Sequence, residues 1–266
     1  MKHIFSKKNK ALLSELVRTD FKLRYQGSVL GYAWSLLRPL LLFLILYVVF
    51  VKFLKIGKGV EHYPIYLLLG IVLWNFFAEM TSISLSSIVS RGDLIRKIRI
   101  PRWIIVLSSS VTALINLTLN LVIVFIFLLF NHVDLMRSIL LLPFILVQLY
   151  LFALGVSLIR ATAFVKYRDV THLWEVSLQG LFYLTPILYP LAIITKPVYQ
   201  KILMVNPIAT AIQDARFAAV SHNSLTVSHV YGTQWARLIP YVITLTVLLF
   251  GALYFKREAK NFAEDL

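Results

Sequence analysis

RPLLLFLILYVVFVKFL, residues Arg38 to Leu54, contains 13 consecutive residues, Pro39 to Val51, without a charged or amide side chain. Counted from Ser35, the apolar stretch is about 20 residues long, and about 20 helical residues at 1.5 Å each cross a bilayer core of about 30 Å. Arg38 and Lys52 lie near its ends, where long basic side chains can reach lipid head groups. The stretch therefore predicts a transmembrane helix, span 1.

The composition of the whole chain agrees with this interpretation. Of its 266 residues, 59% are hydrophobic, whereas soluble domains average about 45–50%. The chain has no cysteine, which excludes a disulfide framework, a thiolate metal site and a cysteine nucleophile. The formal net charge is +15, but the basic residues lie beside apolar stretches, which favours contact with membrane lipids over nucleic acid.

Five further apolar stretches predict spans 2 to 6, so that the fold class is an all-α polytopic membrane protein with six transmembrane helices. Residues 1–35 form a leader, residues 36–256 the membrane domain and residues 257–266 a tail. The predicted spans are Pro64 to about Ser90, Trp103 to Phe130, Ser138 to Thr162, Leu173 to Ile194 and Trp235 to Phe255.

Two segments outside the spans have helical patterns of their own. Ala11 to Tyr25 repeats apolar residues at four-residue spacing and is rich in Lys and Arg, which predicts an amphipathic helix at the membrane surface; a solvated leader helix is the alternative. Residues 195–234 contain two apolar pieces too short to span, around Asn206 and Pro207. They predict re-entrant half-helices between spans 5 and 6, with a plain extramembrane loop as the alternative.

Six spans place both termini on one side of the membrane. Of the 27 Lys and Arg residues, 19 fall on the side that carries the termini and the loop of residues 91–102. The excess of positive charge predicts that this side is cytoplasmic.

Signatures of an enzyme or of an ion-coupled transporter are missing from the sequence. It contains no G-x-x-x-x-G-K-[ST], H-E-x-x-H or G-x-S-x-G, and its six His residues are scattered. Glu79 is the main acidic residue deep in a predicted span. It is either a substrate or proton site or, as we prefer, a carboxylate paired at a helix interface. We expect no metal or cofactor on this chain, and energy for transport from a partner.

The loop RGDLIRKIRIPR, residues 91–102, combines apolar and basic side chains in a form suited to a partner protein. The apolar residues would fill a cleft and the basic residues would meet an acidic rim; a loop that only fixes orientation is the alternative. The docking segment comprises Asp93, Leu94, Ile95, Arg96, Lys97, Ile98 and Arg99.

Aromatic residues are frequent inside spans 1 and 5. Those of span 1 lie at i, i+4 and i+7, on one helix face. They either line a conduit, where rings can stack on sugars, or pack against lipid and other helices. The residues are Phe43, Tyr47 and Phe50 in span 1 and Phe182, Tyr183 and Tyr189 in span 5.

Six stretches in order resemble the membrane subunits of ABC exporters for polysaccharides and polyol phosphates, which include O-antigen, capsule and teichoic acid exporters. They are DFKLRYQGSVLGYAWSLLRPL (20–40), LWNFFAE (73–79), GDLIRKIRIPR (92–102), KYRDVTHL (166–173), FYLTPILYP (182–190) and NPIATAIQDARFA (206–218).

The resemblance implies a half-transporter: two copies of this permease with two copies of a separate ATPase, which binds ATP and Mg. It implies that the docking segment couples to that ATPase, that spans 1 and 5 line the conduit, and that the substrate is an undecaprenyl-diphosphate-linked glycan or polyol phosphate. Arg24 and Arg38 would suit the diphosphate. An ABC exporter of a drug, lipid or other small molecule is the alternative, and a membrane-embedded lipid-sugar transferase is a distant one.

Overall fold

The structure is a computed structural model that describes residues 7–25, 27–57, 59–97, 101–133 and 137–262. Every regular element in these ranges is helical, which confirms the all-α prediction. Five helical segments are long and apolar enough to cross a membrane: Gly31–Phe53, Tyr63–Ser87, Trp103–Phe130, Arg137–Lys166 and Gln234–Glu258. They correspond to predicted spans 1, 2, 3, 4 and 6.

The leader and span 1 form two separate helices. Helix α1 (Lys7–Tyr25) begins four residues before the predicted start and packs along α5 (Trp103–Phe130). After a 3-10 turn at Gly31–Ala33, α2 (Trp34–Tyr47) continues into a π-helical turn at Val48–Phe53. The apolar segment is thus one continuous helical rod of 23 residues.

Helix α3 (Tyr63–Ser87) is the centre of the molecule. Most of its residues are buried, on every side of the helix, as expected of a helix that is apolar all round. It contacts α5 on one side and α6 (Leu142–Lys166) on another. A 3-10 turn follows at Val89–Arg91, and then the short helix α4 (Gly92–Lys97).

Predicted span 5 is shorter than expected. Helix α7 (Val170–Leu184) has 15 residues, which at 1.5 Å each reach about 22 Å, and its end lies ten residues before the predicted end at Ile194. Thr185 is extended, and Pro186 follows it. The helix ends here because a proline disfavours helical backbone at the residue before it. A sixth crossing at this place remains a prediction.

Two short helices occupy the region predicted to contain half-helices. They are α8 (Pro197–Leu203) and α9 (Pro207–Ala219), and α10 (Val227–Tyr231) follows them. Asn206 caps α9 by accepting a hydrogen bond from the Ile208 backbone N–H at 3.0 Å, and Pro207 takes the first helical position. Helix α9 is buried against α3 and α6; its depth in a membrane remains a prediction.

The last helix, α11 (Leu238–Glu258), packs closely against α6. A Cβ atom built on Gly251 would lie 2.5 Å from the Gly155 carbonyl oxygen, and one built on Gly155 would lie 2.8 Å from the Leu248 backbone. Small residues allow such backbone contact between helices in membranes, where packing replaces the hydrophobic effect. Any larger side chain at either glycine would separate the two helices.

Candidate functional site

A cavity of about 370 Å³ lies where the end of α1 and the start of α2 meet the middle of α3 and α5. This volume is within the range of about 300–1,000 Å³ that ligand pockets have. The cavity brings together Arg24 and Arg38, which the sequence suggested as phosphate contacts, and Glu79, the acidic residue inside span 2. These three residues come from three different helices.

Glu79 holds an ion pair with Arg24 across this cavity. The two side chains are about one-fifth and one-third exposed, respectively. Glu79 also accepts a hydrogen bond from the Asn116 amide at 2.6 Å. A carboxylate inside a membrane helix is costly unless it is paired, and the structure supplies two partners. This agrees with the preferred interpretation of Glu79 as a paired carboxylate.

Asn116 and Asn120 form one polar wall of the cavity. They lie four residues apart in α5, on one face of the helix. Asn120 donates to the backbone carbonyls of Asn116 at 2.8 Å and Ser35 at 3.3 Å. The wall therefore connects α5 with α2 as well as with α3. Two amides at helical spacing in span 3 are the sequence signal for this wall, and they are not among the predicted site residues.

Arg38 is the second cation of the cavity. It is exposed, and no hydrogen bond or ion pair joins it to another residue in the described ranges. Because Glu79 is paired with Arg24, the three charged side chains together carry one net positive charge, that of Arg38. The cavity thus offers guanidinium donors to an anion, which is the chemistry expected of a phosphate site.

A second ion pair fixes α1 one turn earlier. Asp20 pairs with Arg91, and Arg91 also donates to the Ser108 hydroxyl at 2.9 Å. The two pairs have opposite polarity: α1 contributes the acid in one and the base in the other. Helix α1 is therefore held against the bundle both at the cavity and beside α4.

The structure describes only part of the docking segment. Asp93 is exposed, whereas Ile95 is 8% exposed and packs with Ile88 and Phe262 of the same chain. This differs from the expectation that Ile95 fills a partner's cleft, because its side chain instead seats α4 on the bundle. The side chains of Leu94, Arg96 and Lys97, and the whole of Ile98 and Arg99, lie outside the description.

The aromatic face of span 1 is turned toward the bundle. Phe43 is 9% exposed and meets Phe127 of α5 edge to face at 6.0 Å, and Tyr47 and Phe50 pack against the same core. The exposed face of α2 is aliphatic instead, with Leu41, Leu44, Ile45 and Val48. Within this chain the ring of Phe43 is part of the helix packing, as in the alternative interpretation, and its place beside a conduit remains a prediction.

The aromatic residues of span 5 are divided between packing and exposure. Phe182 is half-buried and meets Trp74 of α3 edge to face at 5.7 Å. Tyr183 is 68% exposed. Tyr189 lies after α7 and donates its hydroxyl to the Tyr183 carbonyl at 3.2 Å. Of the six predicted conduit residues, Tyr183 presents the most open ring.

Two of the 27 Lys and Arg residues counted for the charge bias are buried in the helical bundle. Arg160 is buried in α6, donates to the Thr81 carbonyl at 2.7 Å and stacks 3.9 Å from the Trp174 ring of α7. Arg216 is completely buried in α9 and donates to three backbone carbonyls, those of Tyr66, Pro186 and Ile187. Both residues join helices to each other, and neither lies on the surface of the bundle.

Comparison with known proteins gives matches along most of the chain. The ABC-2 type transporter family matches residues 11–218. An O-antigen export system permease protein RfbA of Klebsiella pneumoniae is 28% identical over 96% of this chain and 95% of its own length. A second one from that organism is 27% identical over 96% and 95%, and one from Myxococcus xanthus is 26% identical over 97% and 96%. With most of its length matched, this chain belongs to the ABC-2 type transporter family, a family of membrane subunits for transport.

Proposed function

We propose that this chain is the permease subunit of an ABC exporter that moves a lipid-linked polysaccharide, or a teichoic-acid-type polymer, across a bacterial plasma membrane. The supporting observation is the similarity along nearly the whole chain to three O-antigen export permeases. In this proposal two copies of the chain assemble with two ATPase subunits, which bind ATP and Mg, and both termini are cytoplasmic.

The cavity at the end of α1 receives the diphosphate of the lipid carrier, such as undecaprenyl diphosphate. Arg24 and Arg38 face it from two helices, and a planar guanidinium binds phosphate oxygens in a two-pronged fashion. The cavity lies beside the end of α1 at the middle of α3 and α5, and the charge bias predicts that α1 and α4 lie toward the cytoplasmic side. A substrate made in the cytoplasm would meet it there.

The docking segment transmits the work of the ATPase. Its basic residues Arg96, Lys97 and Arg99 meet the partner, while Ile95 holds α4 on the bundle. Replacing all three by Glu is expected to uncouple ATP turnover from export while the permease still folds. A triple variant that exports at the normal rate would remove this assignment.

In this proposal the exposed faces of α2 and α7 contact the second copy of the chain and line the conduit. Leu44 and Ile45 of α2 and Leu173, Val176 and Tyr183 of α7 are exposed. The ring of Tyr183 could stack on successive sugars. If the apolar residues of α2 and α7 are buried between the two copies, the Tyr183 ring would lie beside the conduit.

The test is export by purified components. The chain is co-purified with its ATPase from the native host, reconstituted into sealed vesicles and supplied with ATP and a lipid-linked glycan on the ATPase side. We expect glycan to become accessible to a hydrolase on the opposite side only with ATP. Export by the permease alone without ATP, or transport of a small hydrophobic dye but of no glycan, would contradict the proposal.

A further inference from the structure

The ion pair between Arg24 and Glu79 lies inside the cavity that carries the spare positive charge. It joins α1 to α3, and its two residues are 55 positions apart in sequence. Both side chains retain partial exposure to the cavity. An anion that enters therefore meets Arg24 with a competing partner already in place.

A phosphoryl group competes well for that partner. It offers several acceptor oxygens and more negative charge than a carboxylate, and bidentate Arg–phosphate pairs are among the strongest charge-assisted hydrogen bonds. Arg38, which lines the same cavity, can hold a second oxygen. Glu79 itself would repel the entering anion, because two negative charges a few ångströms apart have an unfavourable Coulomb interaction.

Asn116 makes the exchange tolerable for Glu79. Its amide group donates to the Glu79 carboxylate at 2.6 Å, which also fixes the orientation of the amide. Its Oδ1 atom is buried and accepts no hydrogen bond in the described part of the chain. When Arg24 turns away, Glu79 still accepts the hydrogen bond from the Asn116 amide. The Asn116 Oδ1 atom can then accept a hydrogen bond from a sugar hydroxyl or from water. The carboxylate is thus not left without a partner in an apolar bundle.

We propose that Glu79 is the exchangeable counter-ion of Arg24: a phosphoryl group entering the cavity takes the guanidinium from Glu79 and releases the end of α1 from α3. The other tether of α1, Asp20 with Arg91, lies just before α4. Release at one end leaves α1 held by this second ion pair and by its packing along α5, so that the freed end can move relative to the docking segment. This inference rests on the diphosphate contact of the proposed function.

The first test measures affinity with inorganic pyrophosphate in Mg-free buffer on the purified full-length chain in lipid nanodiscs. Glu79→Gln removes the competing charge, and we expect it to bind pyrophosphate about tenfold more tightly than wild type. Glu79→Asp keeps the charge on a shorter side chain and should give an intermediate affinity, provided that gel filtration shows a folded protein. Glu175→Gln, at an exposed position on α7, removes one carboxylate elsewhere and should leave the affinity unchanged.

The second test follows the helix. Because the chain has no cysteine, spin labels can be attached to Leu23→Cys on α1 and Ser86→Cys on α3, both exposed positions. Labelled chains are diluted with unlabelled chains. We expect pyrophosphate to lengthen the distance between the labels in the wild-type background, and Glu79→Gln to show the longer distance without pyrophosphate.

The outcomes separate the two proposals. If pyrophosphate binds in a manner that depends on Arg38, but Glu79→Gln neither tightens binding nor moves α1, the exchange is wrong and the diphosphate contact stands. If Arg38→Ala leaves pyrophosphate binding unchanged, or wild type does not bind it, both the contact and the exchange are wrong. Export of polysaccharide by the vesicle assay would stand in either case.

Discussion

Two arginines in this helical bundle have different kinds of hydrogen-bond partner. Arg24 pairs with the side chain of Glu79 beside a cavity, whereas Arg216 is completely buried and donates to three main-chain carbonyls at 2.6–3.0 Å. It also stacks 3.5 Å from the Tyr66 ring. A carboxylate on a side chain can exchange its partner, but carbonyls fixed by the backbone cannot. The first arrangement suits a movable joint and the second a permanent one.

The permanent joint explains how the end of α9 and the turn after α7 are fixed to α3. Pro186 follows the end of α7, so that the carbonyls of Pro186 and Ile187 have no helical partner ahead. Arg216 supplies the donors that these carbonyls lack. The break that shortens span 5 and the buried guanidinium are therefore parts of one arrangement.

The largest effect is expected from Arg216→Leu. It leaves the buried carbonyls of Pro186 and Ile187 without the donors that Arg216 supplies, and each unsatisfied buried acceptor costs about 1–3 kcal/mol, which together can prevent folding of a marginally stable domain. Detergent-solubilised protein should aggregate on gel filtration or melt far below wild type. Arg168→Leu, at an exposed position, is the matched control. A normal melting temperature for Arg216→Leu would show that the joint is dispensable.

A smaller loss of stability is expected from Gly70→Ala, which disturbs the contacts of Arg216 only by adding a methyl group. The added Cβ would clash with the Arg216 guanidinium, and overpacking of this kind costs about 1–3 kcal/mol. Gly180→Ala in α7 is the control, because nothing lies within 4 Å of its added Cβ, and it should be neutral or slightly stabilising. Equal melting temperatures for the two variants would contradict the close approach.

The second tether of α1 should contribute less. Asp20→Asn and Arg91→Gln each remove the ion pair, and the double-mutant cycle should give a coupling free energy of about 1 kcal/mol, between the values of exposed and buried pairs. Thermal unfolding and proteolysis of the leader would measure it. A charge swap, Asp20→Arg with Arg91→Asp, should recover part of the loss. No coupling in the cycle would mean that α1 is held by its apolar contacts with α5.

The smallest effect is expected from Tyr189→Phe. Its hydroxyl donates to exposed carbonyls at the end of α7, those of Tyr183 at 3.2 Å and Leu184 at 3.4 Å, which water can also satisfy. We expect a loss of about 0.5 kcal/mol in the free energy of unfolding. A loss as large as that of Gly70→Ala would show that the turn after α7 depends on this ring.

Long apolar runs were sufficient to predict most of the helices, because a membrane span is decided by length and composition. Span 3 agrees with α5 at both ends, Trp103 and Phe130. Span 5 was extended too far, since the run continues in apolar residues through Ile187 and Leu188 although Pro186 ends the helix. An apolar count does not register a missing backbone donor.

The candidate site was only partly predictable for a different reason. Spacing places Phe43, Tyr47 and Phe50 on one face of a helix, but it does not say whether that face meets the bundle or the conduit. The partner of Glu79 lies 55 residues away, beyond the reach of any local pattern. Arg24 and Arg38 were selected for their chemistry, and the structure brings them to one cavity.

The two glycines that join α6 and α11 bear on which part of the molecule can move. The Gly155 carbonyl lies against Gly251, and backbones in such close contact leave little room for one helix to shift along the other. We therefore expect α6 and α11 to move as one unit. Relative movement during transport is then expected in the leader, which is joined to the bundle by two ion pairs.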